Sequence, residues 1–203
     1  MMDYVLTPPC SEEEIRVLRA GDRVTLQETL FGIRDATQIH MFDHGRKTKF
    51  DLTGHAVIHT APNVRQVEPS NSCPVGYGPI CIGTTTSARM ERFTRPLMEH
   101  CGVRMIIGKG GLLEESARAF QDLGGVYLAI VGGAAALETT WIQRIVDVDL
   151  DDLNPESLWQ FEIKNFGPLL VGMDSHGESL FEQVRADSAA RRDAALHSLG
   201  VSD

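Results

Sequence analysis

The sequence predicts an α/β fold, and three observations carry that prediction. Two short apolar runs, 103–107 and 126–131, are each closed by glycines. Between them, 112–123 has the apolar spacing of a helix, so the three together make a βαβ-like unit. The chain has 203 residues, 42% hydrophobic and 23% charged, close to the averages for compact globular proteins. With no internal repeat, that length is expected to form a single domain over 1–203.

The elements follow in order from local signals. Ser11-Glu12-Glu13-Glu14 is a capping box: the Ser11 hydroxyl accepts from the Glu14 amide and the Glu14 carboxylate reaches back. The helix it opens buries Ile15, Val17 and Leu18, with Gly21 placed to end it. Val24, Leu26, Thr29 and Phe31 then read as a strand, 34–49 as a polar stretch, and Ala56-Val57-Ile58 as a second strand. Residues 63–79 carry Pro69, Pro74, Gly76, Gly78 and Pro79 and predict a long functional or mobile loop. After the βαβ-like unit, 161–163 and 169–171 predict two more strands, and 179–199 a charged terminal helix.

Composition excludes several classes of function. The net charge of −9 is spread along the chain without a basic stripe, which argues against a general binder of nucleic acid or anionic membranes. No signal-like start or long apolar run is present, so a cytoplasmic protein is expected. The four cysteines, Cys10, Cys73, Cys81 and Cys101, are scattered without a CxxC pair and predict buried thiols, with no metal held in this chain. His40/His44 and His55/His59 are each four apart, but no carboxylate or cysteine completes a zinc set, and surface histidines are expected. Phe181, Val184, Leu196 and Leu199 form a stripe on the terminal helix, expected to pack on its own domain.

Three segments carry chemistry. In 83–90, a hydroxyl-rich turn meets a helix start; Thr85 or Thr86 can cap it, free amides favour an anion, and Arg89 reaches a carboxylate from the first turn. Gly108-Lys109-Gly110-Gly111 lies between a strand and a helix, where small residues admit close backbone approach and Lys109 is the one charge. No Walker pattern surrounds it, which argues against a P-loop nucleotide enzyme. Arg34-Asp35 follows the first apolar strand, where loops commonly build sites, and Arg34 can add a third cationic contact. Each segment also has a bland reading: capping threonines, a glycine turn with a solvated lysine, and a structural ion pair.

Together these segments resemble the β subunit, or C-terminal domain, of class I fumarate hydratases and tartrate dehydratases, over most of the chain. The resemblance rests on Thr85-Thr86-Ser87-Ala88-Arg89-Met90, on Ile107-Gly108-Lys109-Gly110, and on Gly21-Asp22-Arg23-Val24 leading to Arg34-Asp35-Ala36. It implies a swivelling β/β/α domain that closes over a [4Fe–4S] cluster held by cysteines of a separate α subunit. It implies a hydro-lyase that interconverts a small hydroxy-dicarboxylate with its unsaturated acid and water, the iron acting as a Lewis acid on the substrate hydroxyl. By matching positions, Thr85 is the residue of proton transfer, Arg34, Arg89 and Lys109 clamp substrate carboxylates, and Asp35, Gln38 and Thr86 support them. Two departures stand out: Thr84 replaces the proline that commonly follows Gly83, and Thr37-Gln38 replaces an Ala-His. They leave open an alternative, a non-catalytic paralogue that binds a dicarboxylate or regulates a partner. A third reading is a structural assembly subunit.

Overall fold

The computed structural model describes residues 1–133 and 135–200. In chain order it has β1 (Asp3–Leu6), α1 (Glu12–Arg16), β2 (Arg23–Ile33), α2 (Asp35–Phe42), β3 (Ala56–His59), β4 (Asn63–Gln66) and β5 (Tyr77–Cys81). A 3-10 helix, Ser87–Phe93, leads into α3 (Thr94–Cys101), β6 (Met105–Gly108), α4 (Glu114–Leu123), β7 (Val126–Ala129) and α5 (Ala135–Thr140). Then come β8 (Ile142–Asp149), a 3-10 turn at Asp151–Leu153, β9 (Leu158–Met173) and α6 (Leu180–Ser198).

The main sheet has seven strands in the order β1-β2-β3-β6-β7-β9-β8, and β2 also pairs with β9. That second pairing closes β2, β3, β6, β7 and β9 into a barrel-like ring, with β1 and β8 alongside it. β2, β3, β6 and β7 run parallel and β9 runs antiparallel to its neighbours, so the fold is mixed α/β. The expected βαβ unit is present as β6-α4-β7.

Period-two alternation decides which side chains meet which core. Ala56 and Ile58 of β3, Met105 and Ile107 of β6, and Val126 and Leu128 of β7 join one cluster with Leu30, Phe161 and Val171. Their neighbours Val57, Ile106 and Tyr127 pack with Leu97, Met98, Ala119 and Phe120, under α3 and α4. Strands buried on both faces have to be apolar throughout, and β3 and β6 are buried at every residue. His59 and Gly108 therefore point, by the same alternation, to the helix side.

Several local expectations are corrected. The capping box forms, but α1 ends at Arg16; Gly21, at φ +94°, instead shapes the turn into β2. The polar stretch after β2 contains a helix, α2, and the expected loop 63–79 is framed by the antiparallel ribbon β4-β5. The two strands read at 161–163 and 169–171 are one, β9. It bends where Asn165 has φ 52° and Gly167 φ 146°; a Cβ at Gly167 would stand 2.7 Å from the Val24 carbonyl oxygen of β2. The terminal stripe does not form core: no residue of α6 is fully buried, Phe181 packs on Tyr127, and Val184 is exposed. Among the described residues, no helix is long and apolar enough to cross a membrane.

Candidate active site

The three segments singled out in the sequence meet at the carboxyl ends of the parallel strands, where α/β folds commonly bind ligands. Arg34 and Asp35 follow β2, and Lys109 follows β6. The 84–86 segment is tied to the end of β3 and β6 by backbone: Thr60 bridges Thr84, the Thr85 N–H donates to the His59 carbonyl at 2.8 Å, and Thr86 bridges Lys109. The Ser87 N–H donates to the Lys109 carbonyl at 3.0 Å, which fixes the hydroxyl-rich turn against the glycine turn.

One guanidinium connects two segments. Arg89 Nη2 lies 2.7 Å from Asp35 Oδ2 and donates to Thr85 Oγ1 at 3.2 Å. The Arg89 side chain is half exposed, so the contact with Asp35 fixes its direction more than it adds stability. Arg34 Nε sits between two carboxylates, 3.5 Å from Asp35 Oδ2 and 3.4 Å from Glu156 Oε1. It is buried and makes no hydrogen bond among the described residues, its charge facing the two carboxylates. Glu156, which no sequence signal marked, also accepts the Ala36 N–H at 2.8 Å and so caps α2 from 120 residues away. Its effect is to hold Arg34, the residue at the α2 N-cap position, against the helix start.

Lys109 joins from the other side. Its Cδ would lie 2.9 Å from a Cβ on Gly132, so only glycine leaves room for this path of the side chain. Its charge acts on Glu138, whose carboxylate accepts from the Thr84 N–H at 3.1 Å and the Thr84 hydroxyl at 2.8 Å. Burial pushes the Glu138 carboxyl up, and the Thr84 bonds and Lys109 oppose that shift. Thr84, the departure from the common Gly-Pro, thus supplies an N–H and a hydroxyl that proline cannot.

Four of the sequence readings are corrected or sharpened. The α4 N-terminus near Lys109 is not open to a ligand carboxylate, because Glu91 fills it, accepting from the Leu113 N–H at 2.7 Å and the Ser116 N–H at 2.8 Å. Thr86 is exposed at the N-cap position of the 3-10 helix but makes no side-chain capping bond. Gln38 is 1% exposed within α2, with its amide 3.5 Å from the Arg34 carbonyl; it lies beneath the charged cluster. His59 is buried rather than at the surface.

This chain's own residues do not fit an iron–sulfur cluster. All four cysteines are free, and burial pushes the Cys10 thiol up to about 11 and the Cys101 thiol upward, against the thiolate that a metal needs. Among the described residues, no group of three or more His, Cys, Asp or Glu could hold a metal ion.

A threonine hydroxyl bonded to a guanidinium, with a second arginine and a lysine on loops at the same strand ends, marks the class: a mixed α/β protein with cationic side chains gathered at the carboxyl ends of its parallel strands. The chain belongs to the Fumarase C-terminus family, whose model matches residues 3–184. It is 35% identical over 202 residues to the L(+)-tartrate dehydratase subunit beta of Escherichia coli, covering 98% of this chain and 96% of that one. It is 37% identical over 188 residues to a Methanocaldococcus jannaschii protein provisionally named L(+)-tartrate dehydratase subunit beta, covering 90% of this chain and 93% of that one. A Geobacillus stearothermophilus protein provisionally named fumarate hydratase class I is 35% identical over 184 residues, which are 90% of this chain and 34% of that protein.

Proposed function

We propose that this chain works as the β subunit of a hydro-lyase of the fumarate hydratase and tartrate dehydratase kind, with Thr85 as its residue of proton transfer. The observation that carries the assignment is the single guanidinium of Arg89, bonded at once to Asp35 and to the Thr85 hydroxyl. A threonine hydroxyl is a weak base, and a cationic donor on its oxygen favours the alkoxide. In the dehydration direction Thr85 takes the proton from the carbon next to a substrate carboxylate. The C–H electron pair becomes the double bond as the C–O bond to the neighbouring carbon breaks; the hydroxide released takes up one proton, balancing the one passed to Thr85, and departs as water.

Negative charge develops on the carboxylate beside the reacting carbon, and fixed cations there stabilise it. Arg34, Arg89 and Lys109 are assigned that role, with Asp35 and Glu156 holding the two guanidinium groups in place. The half-exposure of Arg89 fits a site completed by a second chain. The relatives named subunit beta support an α partner for this one. The [4Fe–4S] cluster and the activating base are assigned to that partner, and the swivelling β/β/α motion of this domain, spanning 1–203, to closure over it. The complex is a cytoplasmic hetero-oligomer.

The test is anaerobic co-expression with the neighbouring α-subunit candidate, followed by hydration assays on a panel of unsaturated dicarboxylates. Turnover that requires both chains supports the assignment and names the acid. A cluster-loaded complex inactive on every member overturns it in favour of a dicarboxylate-binding or regulatory paralogue.

A further inference from the structure

Behind the charged cluster lies a second group of polar side chains with no contact to solvent. Ser87 and Tyr127 are 0% exposed and His59 is 1% exposed. Tyr127 donates its hydroxyl to Ser87 Oγ at 3.0 Å, and Ser87 Oγ lies 2.9 Å from His59 Nδ1. The Tyr127 oxygen lies against the glycine turn, 2.9 Å from where a Cβ on Gly108 would stand. With the Ser87 oxygen already accepting from Tyr127, its own proton is best satisfied by His59 Nδ1, which places the imidazole hydrogen on Nε2. The result is a directed chain: Tyr127 O–H to Ser87 O–H to His59 Nδ1.

The ends of this chain are where the chemistry sits. Gly111 closes the glycine turn that carries Lys109, Ser87 donates its N–H to the Lys109 carbonyl, and the His59 carbonyl receives the Thr85 N–H. Gly108 clears the space: a Cβ there would stand 1.8 Å from Ser87 Oγ and 2.9 Å from the Tyr127 oxygen. Unsatisfied buried polar groups cost about 1–3 kcal/mol each, so three of them joined end to end make a stiff link between the two segments.

We propose that Ser87, His59 and Tyr127 are positioning residues, forming one buried hydrogen-bonded chain that sets Thr85 from the His59 end and Lys109 from the Tyr127 end. The proposal rests on the roles given above to Thr85 and Lys109. It makes the two ends separable, because each is joined to a different function. Burial holds the His59 imidazole down at about 3, so it stays neutral and takes no proton from substrate.

The experiment is steady-state kinetics of the αβ complex carrying Tyr127→Phe, His59→Leu, His59→Asn and Ser87→Ala, with Thr85→Ala and Lys109→Ala alongside. Losing one such hydrogen bond is expected to cost roughly tenfold. Tyr127→Phe is expected to raise KM by that factor with kcat nearly unchanged, and His59→Leu to lower kcat with KM nearly unchanged. His59→Asn, which keeps an acceptor near the Nδ1 position, restores kcat, and Ser87→Ala changes both constants. The Ser87→Ala/Tyr127→Phe pair is no worse than Ser87→Ala alone, as members of one chain require. Inactive Thr85→Ala together with unchanged constants in Tyr127→Phe and Ser87→Ala overturns the positioning roles alone. Full activity of Thr85→Ala overturns the site assignment beneath them. Equal loss in both constants for all four variants indicates a merely structural role and also overturns the proposal.

Discussion

The two sides of the 84–89 segment are built on opposite principles. On one side Thr85 and Arg89 face Arg34, Asp35 and Glu156 in a cluster that is a quarter to a half exposed and held by charge. On the other, Ser87 meets His59 and Tyr127 in a dry, neutral network held by hydrogen bonds. Exposed ion pairs are weak and adaptable, whereas buried polar networks are stiff and unforgiving. The difference teaches how the proposed half-site can wait for a partner: the groups assigned to substrate stay open, over a backbone tied down by buried hydrogen bonds.

Substitutions can break that contrast at either side, and the largest effect belongs to the open one. Thr85→Ala should cost about 10²–10⁴-fold in kcat, the usual contribution of a proton-transfer group, while the complex still assembles on gel filtration. Arg89→Ala and Lys109→Ala should act mainly through KM, by about 1.5–3 kcal/mol or roughly 10- to 150-fold for a lost charged hydrogen bond. Mild, equal effects at Thr85 and Lys109 would erase the distinction between proton transfer and clamping.

The buried side should respond in stability. Gly108→Ala drives a methyl into Ser87 Oγ and should lower stability by about 1–3 kcal/mol in denaturant melts, with Ser87→Ala in the same chain recovering part of it. The smallest effect at neutral pH is that of His59. Its folded value, about 3, lies below the ordinary 6.5, so the unfolded chain binds the proton first as pH falls. The stability this contributes is complete above pH 6.5 and is lost as pH drops toward 3, at about 1.4 kcal/mol per pH unit. His59→Asn should flatten the acid limb by that slope, and an unchanged acid limb would mean that His59 is not held neutral.

The sequence made some of this legible because the signal was local. Ser11 and Glu14 are three apart and cap each other, and the βαβ unit shows in runs of consecutive apolar residues. Thr85, Arg89 and Lys109 were visible as motif positions, although their mutual placement came only from the parallel pairing of strands. Partners distant in sequence were not visible. Glu156 caps α2 across 120 residues, Glu138 binds Thr84 across 54, and Ser87 meets Tyr127 across 40. β9 reads as two strands because polar residues, a glycine and a proline at 164–168 interrupt its apolar pattern; long-range pairing with β2 on both sides of the interruption carries the strand through. The α4 N-terminus looked like an anion site because nothing nearby in sequence showed that Glu91 already fills it.

The central claim is that this chain supplies one half of a composite dehydratase site. Its most direct test is reconstitution: a fixed amount of cluster-loaded α subunit titrated with this chain, following consumption of the accepted dicarboxylate. The account predicts no turnover by either chain alone and a rate that rises with added β chain until it saturates. Full turnover by the α subunit without this chain, unchanged on adding it, would contradict the account.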